Sequence, residues 1–285
     1  MTIWNLGSVN ADLVYRLPHL PVAGETLTAT GFAQGLGGKG ANMSVAAARA
    51  GSMVQQIGAV GQDGIWMRDR LADYGVGVDH IAVLDGPSGQ AIIAVDDAGE
   101  NQIIILGGAN RQIDDAMVAA ALDAARPGDI AITQNETTGQ QAFARLVRAR
   151  GLRLAYAAAP FEATAVAAML DHLDLLVMNQ VEADQLTRAT GTAPEALPVA
   201  DVVITRGGAG CRWIATGPGT TRDVAAPRVT PVDTTGAGDT FTGYLVAGLD
   251  QGLAMADALD LAQRAAALMV TRHGTADVIP RRDEV

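Results

Sequence analysis

Cysteine is almost missing from this 285-residue chain, which has one, Cys211. A single thiol excludes an internal disulfide framework and any cysteine-rich metal centre, and its place in the apolar run 211–214 predicts a buried structural group. The four histidines, at 19, 80, 172 and 273, have no metal-ligand spacing. Lysine and arginine total 20 against 31 acids, a net charge of −11, which argues against a nucleic-acid partner or an anionic membrane surface. No apolar run reaches the roughly 18 residues of a spanning helix, and the N-terminus lacks the basic start and apolar stretch of a signal peptide. A cytoplasmic location is therefore expected. Aromatic residues are only 4% of the chain, which disfavours a pocket built to stack a nucleobase.

Hydrophobic residues, by contrast, make up 49%, enough for a sizeable core in one α/β unit spanning 1–285. Short apolar runs suited to buried strands recur at 53–57, 129–133, 152–155, 173–177 and 202–205, with helical patterns at 65–74, 139–150 and 162–170 between them. This alternation predicts a mostly parallel central sheet covered by helices on both faces, with ligands at the carboxyl ends of the strands. Two segments break the rhythm. Residues 12–32 hold short runs with Pro18, Pro21 and Gly24 and no helix, and 89–106 read as an Ile-rich hairpin turning at 96–100. The apolar face of such a hairpin needs a cover.

The chemistry concentrates in two glycine-containing segments. Near the C-terminus, Asp233-Thr-Thr-Gly-Ala-Gly-Asp239-Thr-Phe runs straight into an apolar helical pattern. Small residues at 236–238 let the backbone wrap a ligand, and the amides and dipole of a helix start attract phosphate. Asp239 beside them can accept a proton from an attacking hydroxyl, although Asp is also an ordinary residue at helix starts. The second segment, Gly35-Leu-Gly37-Gly38-Lys39-Gly40-Ala-Asn42, opens a small-residue helix ended by Gly51. Gly35, Gly37 and Gly40 match the dinucleotide fingerprint by spacing alone, because no strand of a compact βαβ unit precedes them. A Walker A loop fails too, since Gly40 follows Lys39.

Together, the Gly-Gly-Lys-Gly-Ala-Asn segment at 37–42 and the segment at 233–241 resemble the two signatures of the ribokinase-like (PfkB) carbohydrate kinases. Gly7 to Asp12 followed by 21–26, Asn179-Gln-Val-Glu182, and Thr205-Arg-Gly207-Gly-Ala-Gly210 match further family elements in the family's order. The likeness runs from about residue 3 to residue 280, and the pattern is nearest to the ribokinases.

The resemblance implies an ATP-dependent kinase acting on a primary hydroxyl of a small sugar, D-ribose foremost, with segments 12–34 and 88–107 forming a small β lid. Asp239 would be the general base, with the amides of Gly236, Ala237 and Gly238 holding the phosphoryl oxygens. Asn10, Asp12, Gly38, Lys39, Asn42 and Glu136 would line the sugar pocket. Asn179, Thr205, Gly207, Gly210 and Gln263 would shape the nucleotide side, and Glu182 would act on Mg²⁺ through water. A lid-mediated homodimer is expected. The same chemistry on a pseudouridine-like nucleoside, fructose or 2-keto-3-deoxygluconate is the alternative, and a non-catalytic sugar sensor is a further one. Two departures stand out. Residues 156–160 read Tyr-Ala-Ala-Ala-Pro where members carry Asn-Pro-Ala-Pro. Asp233, Thr235 and Gly274 match an activating monovalent-cation site, but Val278 stands where a hydroxyl is expected, which leaves K⁺ an open option.

Overall fold

The computed structural model describes residues 1–285. Its strands are β1 (Thr2–Leu6), β2 (Asn10–Arg16), β3 (Gly31–Gly37), β4 (Met53–Val60), β5 (Gly77–Val83), β6 (Gly89–Val95), β7 (Asn101–Leu106), β8 (Ile130–Thr133), β9 (Arg153–Ala157), β10 (Leu175–Asn179), β11 (Asp201–Thr205), β12 (Cys211–Ala215) and β13 (Thr220–Val224). The α-helices are α1 (Lys39–Arg49), α2 (Ile65–Asp73), α3 (Asp115–Leu122), α4 (Gln140–Ala149), α5 (Ala163–Met169), α6 (Gln180–Thr190), α7 (Ala237–Asp250) and α8 (Met255–Met269).

Nine strands form the main sheet in the order β13-β12-β11-β10-β9-β8-β1-β4-β5. Pairing is parallel from β11 to β5 and antiparallel only at the β13-β12-β11 edge. Each central strand sends alternate side chains to opposite faces. Ile3, Ile132, Ala155, Val177 and Val203 pack under α1, α2, α7 and α8, while Leu6, Ala131, Leu154, Leu176 and Val202 pack under α3 to α6. Burial on both faces explains why these strands read as near-continuous apolar runs. No helix is long and apolar enough to cross a membrane.

The two segments outside the βα rhythm build a separate four-stranded sheet, β3-β2-β6-β7. Its hairpin turn is closed by Asp96, whose Oδ1 accepts from the N–H groups of Ala98 and Glu100, both at 2.9 Å. Ile103, Ile104, Ile105 and Leu106 on β7 and Phe32 on β3 are exposed.

Chain order reverses at β1. The chain moves from β1 to β4 and β5 on one side, then returns to β8 on the other. Ligand crevices form at such switch points, and the small sheet leaves β1 there through Gly7-Ser8-Val9. A buried polar network fixes this corner. Asn5 Nδ2 donates to the Gly40 carbonyl and Ser44 Oγ, both at 2.8 Å, and Gln56 Nε2 donates to the Gly7 carbonyl at 2.8 Å. Gly40 is required for close approach: a Cβ there would lie 2.4 Å from the Gly7 carbonyl carbon. The network therefore locks the start of α1 onto the end of β1.

Candidate active site

Helices α1 and α7 pack side by side with their N-termini at the same corner. Gly243 of α7 lies so close to α1 that a Cβ would meet Ala46 Cβ at 2.5 Å. This contact brings the two glycine segments together, and Asn42 Nδ2 donates to Asp239 Oδ2 at 2.9 Å. The Asn42 Oδ1 beside that bond is buried without a partner. Asp239 is buried at 7% exposure. Burial pushes its carboxyl up to about 6, against the Lys39 charge and the Asn42 bond, with the Glu136 carboxylate adding to the rise.

Lys39 is the one cation of the cluster. The charges of Asp239, Glu136 and Glu182 raise its ammonium above its ordinary range, although burial opposes them. Glu136 is held by two donors, Ser8 Oγ at 2.5 Å and the Lys39 N–H at 3.1 Å. Ser8 lies two residues past the end of β1, and its carbonyl accepts from the Ala41 N–H at 2.9 Å. Asp12 on β2 leans over β3, where a Cβ on Gly37 would sit 2.2 Å from both carboxylate oxygens. Burial and the Glu136 charge push Asp12 up to about 7, the Thr275 hydroxyl pulls it down, and Asp239 adds to the rise. Asn10 is buried, and its Oδ1 accepts from Asn110 Nδ2 at 2.7 Å. Three carboxyls, a lysine, and the amides of Asn10 and Asn42 thus converge where β1, β2, α1 and α7 meet.

From Asp239 a narrow cavity of about 180 Å³ leads along Lys39, Gly236, Gly238, Asn179, Glu182 and Thr205. Beside it lies a cavity of about 520 Å³ that shares Thr205 and Gly238 and adds Gly207, Gly210, Gln263, Phe241 and residues from the segment Ala226–Pro231. The first turn of α7 forms the doorway. Gly236 caps it with φ 75, a left-handed conformation that suits glycine. The Ala237 N–H donates to the Thr234 carbonyl at 3.2 Å. That bond corrects the expectation of three free amides: Gly238 and Asp239 face the doorway with unused helix-start N–H groups, and Ala237 shapes the turn.

Asn179 and Glu182 form a capping box at the start of α6. Asn179 Oδ1 accepts from the Glu182 N–H at 2.9 Å, and Glu182 Oε2 accepts from the Asn179 N–H at 2.7 Å. The Asn179 side-chain oxygen is therefore committed to the cap. Burial raises the Glu182 carboxyl despite that bond and the Lys39 charge. Gln263 and Phe241 both line the larger cavity, with Gln263 next to the buried thiol of Cys211. Asp233, Thr235 and Gly274 also meet: Asp233 Oδ1 accepts from the Thr235 N–H at 2.9 Å and Oδ2 from the Gly274 N–H at 3.2 Å. Val278 packs near Gly274. At the 156–160 segment, Asn135 donates through Nδ2 to the Pro160 carbonyl at 3.0 Å.

Four participants escaped the sequence reading. Ser8, Asn110 and Thr275 work through partners roughly a hundred or more positions away, and the Ala226–Pro231 wall has no motif. Ser8 lay within the recognised 7–12 element and Thr275 next to Gly274, but neither was singled out.

The profile of the pfkB family carbohydrate kinases matches residues 3–282. The chain belongs to this family. A ribokinase of Haemophilus influenzae is 33% identical over 99% of this chain and 96% of its own length. The Bacillus subtilis ribokinase is 35% identical, over 98% and 96%. The structure of Arabidopsis thaliana ribokinase complexed with ribose and ATP superposes with a TM-score of 0.84 at 28% identity, covering 99% of this chain and 96% of that one. The pfkB membership accounts for both glycine segments, for the layered α/β fold and for a carbohydrate kinase activity.

Proposed function

We propose that this carbohydrate kinase transfers the γ-phosphate of ATP to a primary hydroxyl of a small sugar, with D-ribose the leading acceptor. The observation that carries the reading is the position of Asp239. This buried carboxyl stands at the doorway between a pocket lined by polar and acidic groups and a cavity with a largely apolar far wall. In the step, the sugar hydroxyl oxygen attacks the γ-phosphorus and the bond to the β-phosphate oxygen breaks. The hydroxyl proton passes to Asp239, and ADP leaves. A carboxylate is a weak base towards an alcohol, so its contribution lies in position and in late proton transfer.

Asp12, Asn10, Glu136 and Asn42 present acceptors and amides to the sugar hydroxyls, and the unpartnered Asn42 Oδ1 would accept from one of them. The helix-start amides of Gly236, Gly238 and Asp239, with Lys39, stabilise charge on the transferring group. Thr205, Gly207, Gly210 and Gln263 line the nucleotide cavity. Glu182 offers a hard oxygen for Mg²⁺, and no group of three acidic or imidazole ligands is preassembled, which suits an ion that keeps most of its water. Mg²⁺ when bound would neutralise phosphate charge. Asp233, Thr235 and Gly274 would contribute to a K⁺ site, although both Asp233 oxygens already accept backbone N–H bonds. The exposed apolar strand β7 fits a homodimer built through the lid.

The test is ADP release with Mg-ATP across pentoses, hexoses, keto-sugars and nucleosides, with and without K⁺. D-ribose is expected to give the highest kcat/KM. A nucleoside or a hexose in first place would move the acceptor, and sugar binding without turnover would make the protein a sensor.

A further inference from the structure

The loop 274–280 is fastened from outside the site. Asp277 Oδ1 accepts from Arg70 Nη1 at 3.2 Å and from the Tyr74 hydroxyl, both at the C-terminal end of α2. Arg49, in the last turn of α1, donates to the carbonyls of Asp277, at 3.2 Å, and Ile279, and its guanidinium lies 4.5 Å from the centre of the Tyr74 ring. On its inner edge the same loop meets the sugar pocket. Thr275 Oγ1 donates to the Leu36 carbonyl at 2.9 Å and stands 3.5 Å from Asp12 Oδ2.

We propose that Asp277, clamped by Arg49, Arg70 and Tyr74, is a positioning residue that sets Thr275 against Asp12 and so tunes sugar binding. The inference rests on the assignment of Asp12 to the sugar. An ion pair as exposed as Arg70–Asp277, with both side chains 47% exposed, adds little to global stability. Its effect is local: donors from two helices meet on one carboxylate and two neighbouring carbonyls, which fixes where a short loop lies. Asp12 orients its carboxylate through two side-chain torsions, and Thr275 is the hydroxyl beside it. When the middle of the loop drifts outward, Asp12 loses that neighbour, while the Gly274 N–H bond to Asp233 at 3.2 Å and the Tyr244 hydroxyl bond to the Pro280 carbonyl at 2.7 Å hold the two ends of the loop beside α7. The consequence is a change in sugar KM separated from kcat and from the KM of ATP.

The experiment compares Asp277→Ala, Asp277→Asn, Tyr74→Phe and Thr275→Ala on the full chain with D-ribose and Mg-ATP. Asp277→Ala is expected to raise the sugar KM about five- to tenfold, with kcat and the KM of ATP within about twofold. Asp277→Asn keeps an oxygen for Tyr74 and Arg70 and should stay near wild type. Tyr74→Phe should move the sugar KM in the same direction by less. The double variant Asp277→Ala/Thr275→Ala should be no worse than Thr275→Ala alone, because both act through one contact. Additive effects overturn the proposal, as do a sugar KM unchanged in both Asp277→Ala and Tyr74→Phe or a parallel loss of kcat and ATP affinity. Asp12→Ala, measured alongside, separates the two claims. If Asp12→Ala is impaired and Asp277→Ala is not, only the clamp is removed; an unaffected Asp12→Ala removes the sugar pocket as drawn.

Discussion

Asn42 and Asp239 are joined by a 2.9 Å hydrogen bond across 197 positions of chain. It ties the start of α1 to the start of α7, and it lowers the pKa of the carboxyl proposed as the base. Activity should therefore report on it through pH. Burial holds Asp239 near 6 in the sugar-free protein, so kcat/KM should fall as pH drops below about 6, where the base carries its proton. Lys39 lowers this pKa more than Asn42 does. The acid limb should thus move upward in Asn42→Ala and further in Lys39→Met. An unmoved limb in Lys39→Met would mean that the lysine charge does not act on this carboxyl.

Asp12 gives a prediction for stability. Its folded-state pKa is pushed up to about 7, first by burial and then by the Glu136 charge. An acid raised in the folded state favours the protonated fold, so stability falls as pH rises from about 4 through 7 and stays low above that. Asp12→Asn should raise the Tm of the sugar-free protein at pH 8 by at least about 2 °C. The gain should vanish near pH 4. The same variant should bind sugar poorly, and a Tm equal to wild type at pH 8 would contradict the buried-acid assignment.

Gly243 is where α1 and α7 touch. Gly243→Ala inserts a Cβ 2.5 Å from Ala46 Cβ and 2.6 Å from the Met43 carbonyl oxygen, and backbone cannot yield as a side-chain tip does. Overpacking of this kind costs roughly 1–3 kcal/mol. Denaturant titration should find that loss, and kcat should drop because the helices carrying Lys39, Asn42 and Asp239 are pushed apart. Full activity in a destabilised Gly243→Ala protein would show that this spacing does not matter to catalysis.

Much of the site was legible because its chemistry is local in sequence. Gly236 to Asp239 bring the cap, the helix-start amides and the proposed base within four positions, and Gly38 to Asn42 bring Lys39 and the Asn42 amide to the same corner. The hairpin β6–β7 was readable from its two apolar runs and the turn at 96–100. Strand β13 was not: Thr220–Val224 is polar and mostly exposed, and it forms by pairing with β12, where Arg212 meets Asp223 at 3.0 Å. Ser8, Asn110 and Thr275 were hidden for the same reason, since each finds its partner only when β1, β2 and the C-terminal loop come together. Asn179 was readable in two ways. The capping box now accounts for its side-chain oxygen.

The most direct test of the account is Asp239→Asn, an isosteric change that removes the proton acceptor and leaves the doorway amides in place. Single-turnover phosphoryl transfer should slow by about 10³-fold, within the range for losing a positioned base, while the dissociation constant for D-ribose changes by no more than a few-fold. Transfer at near the wild-type rate would contradict the assignment of Asp239 as the base.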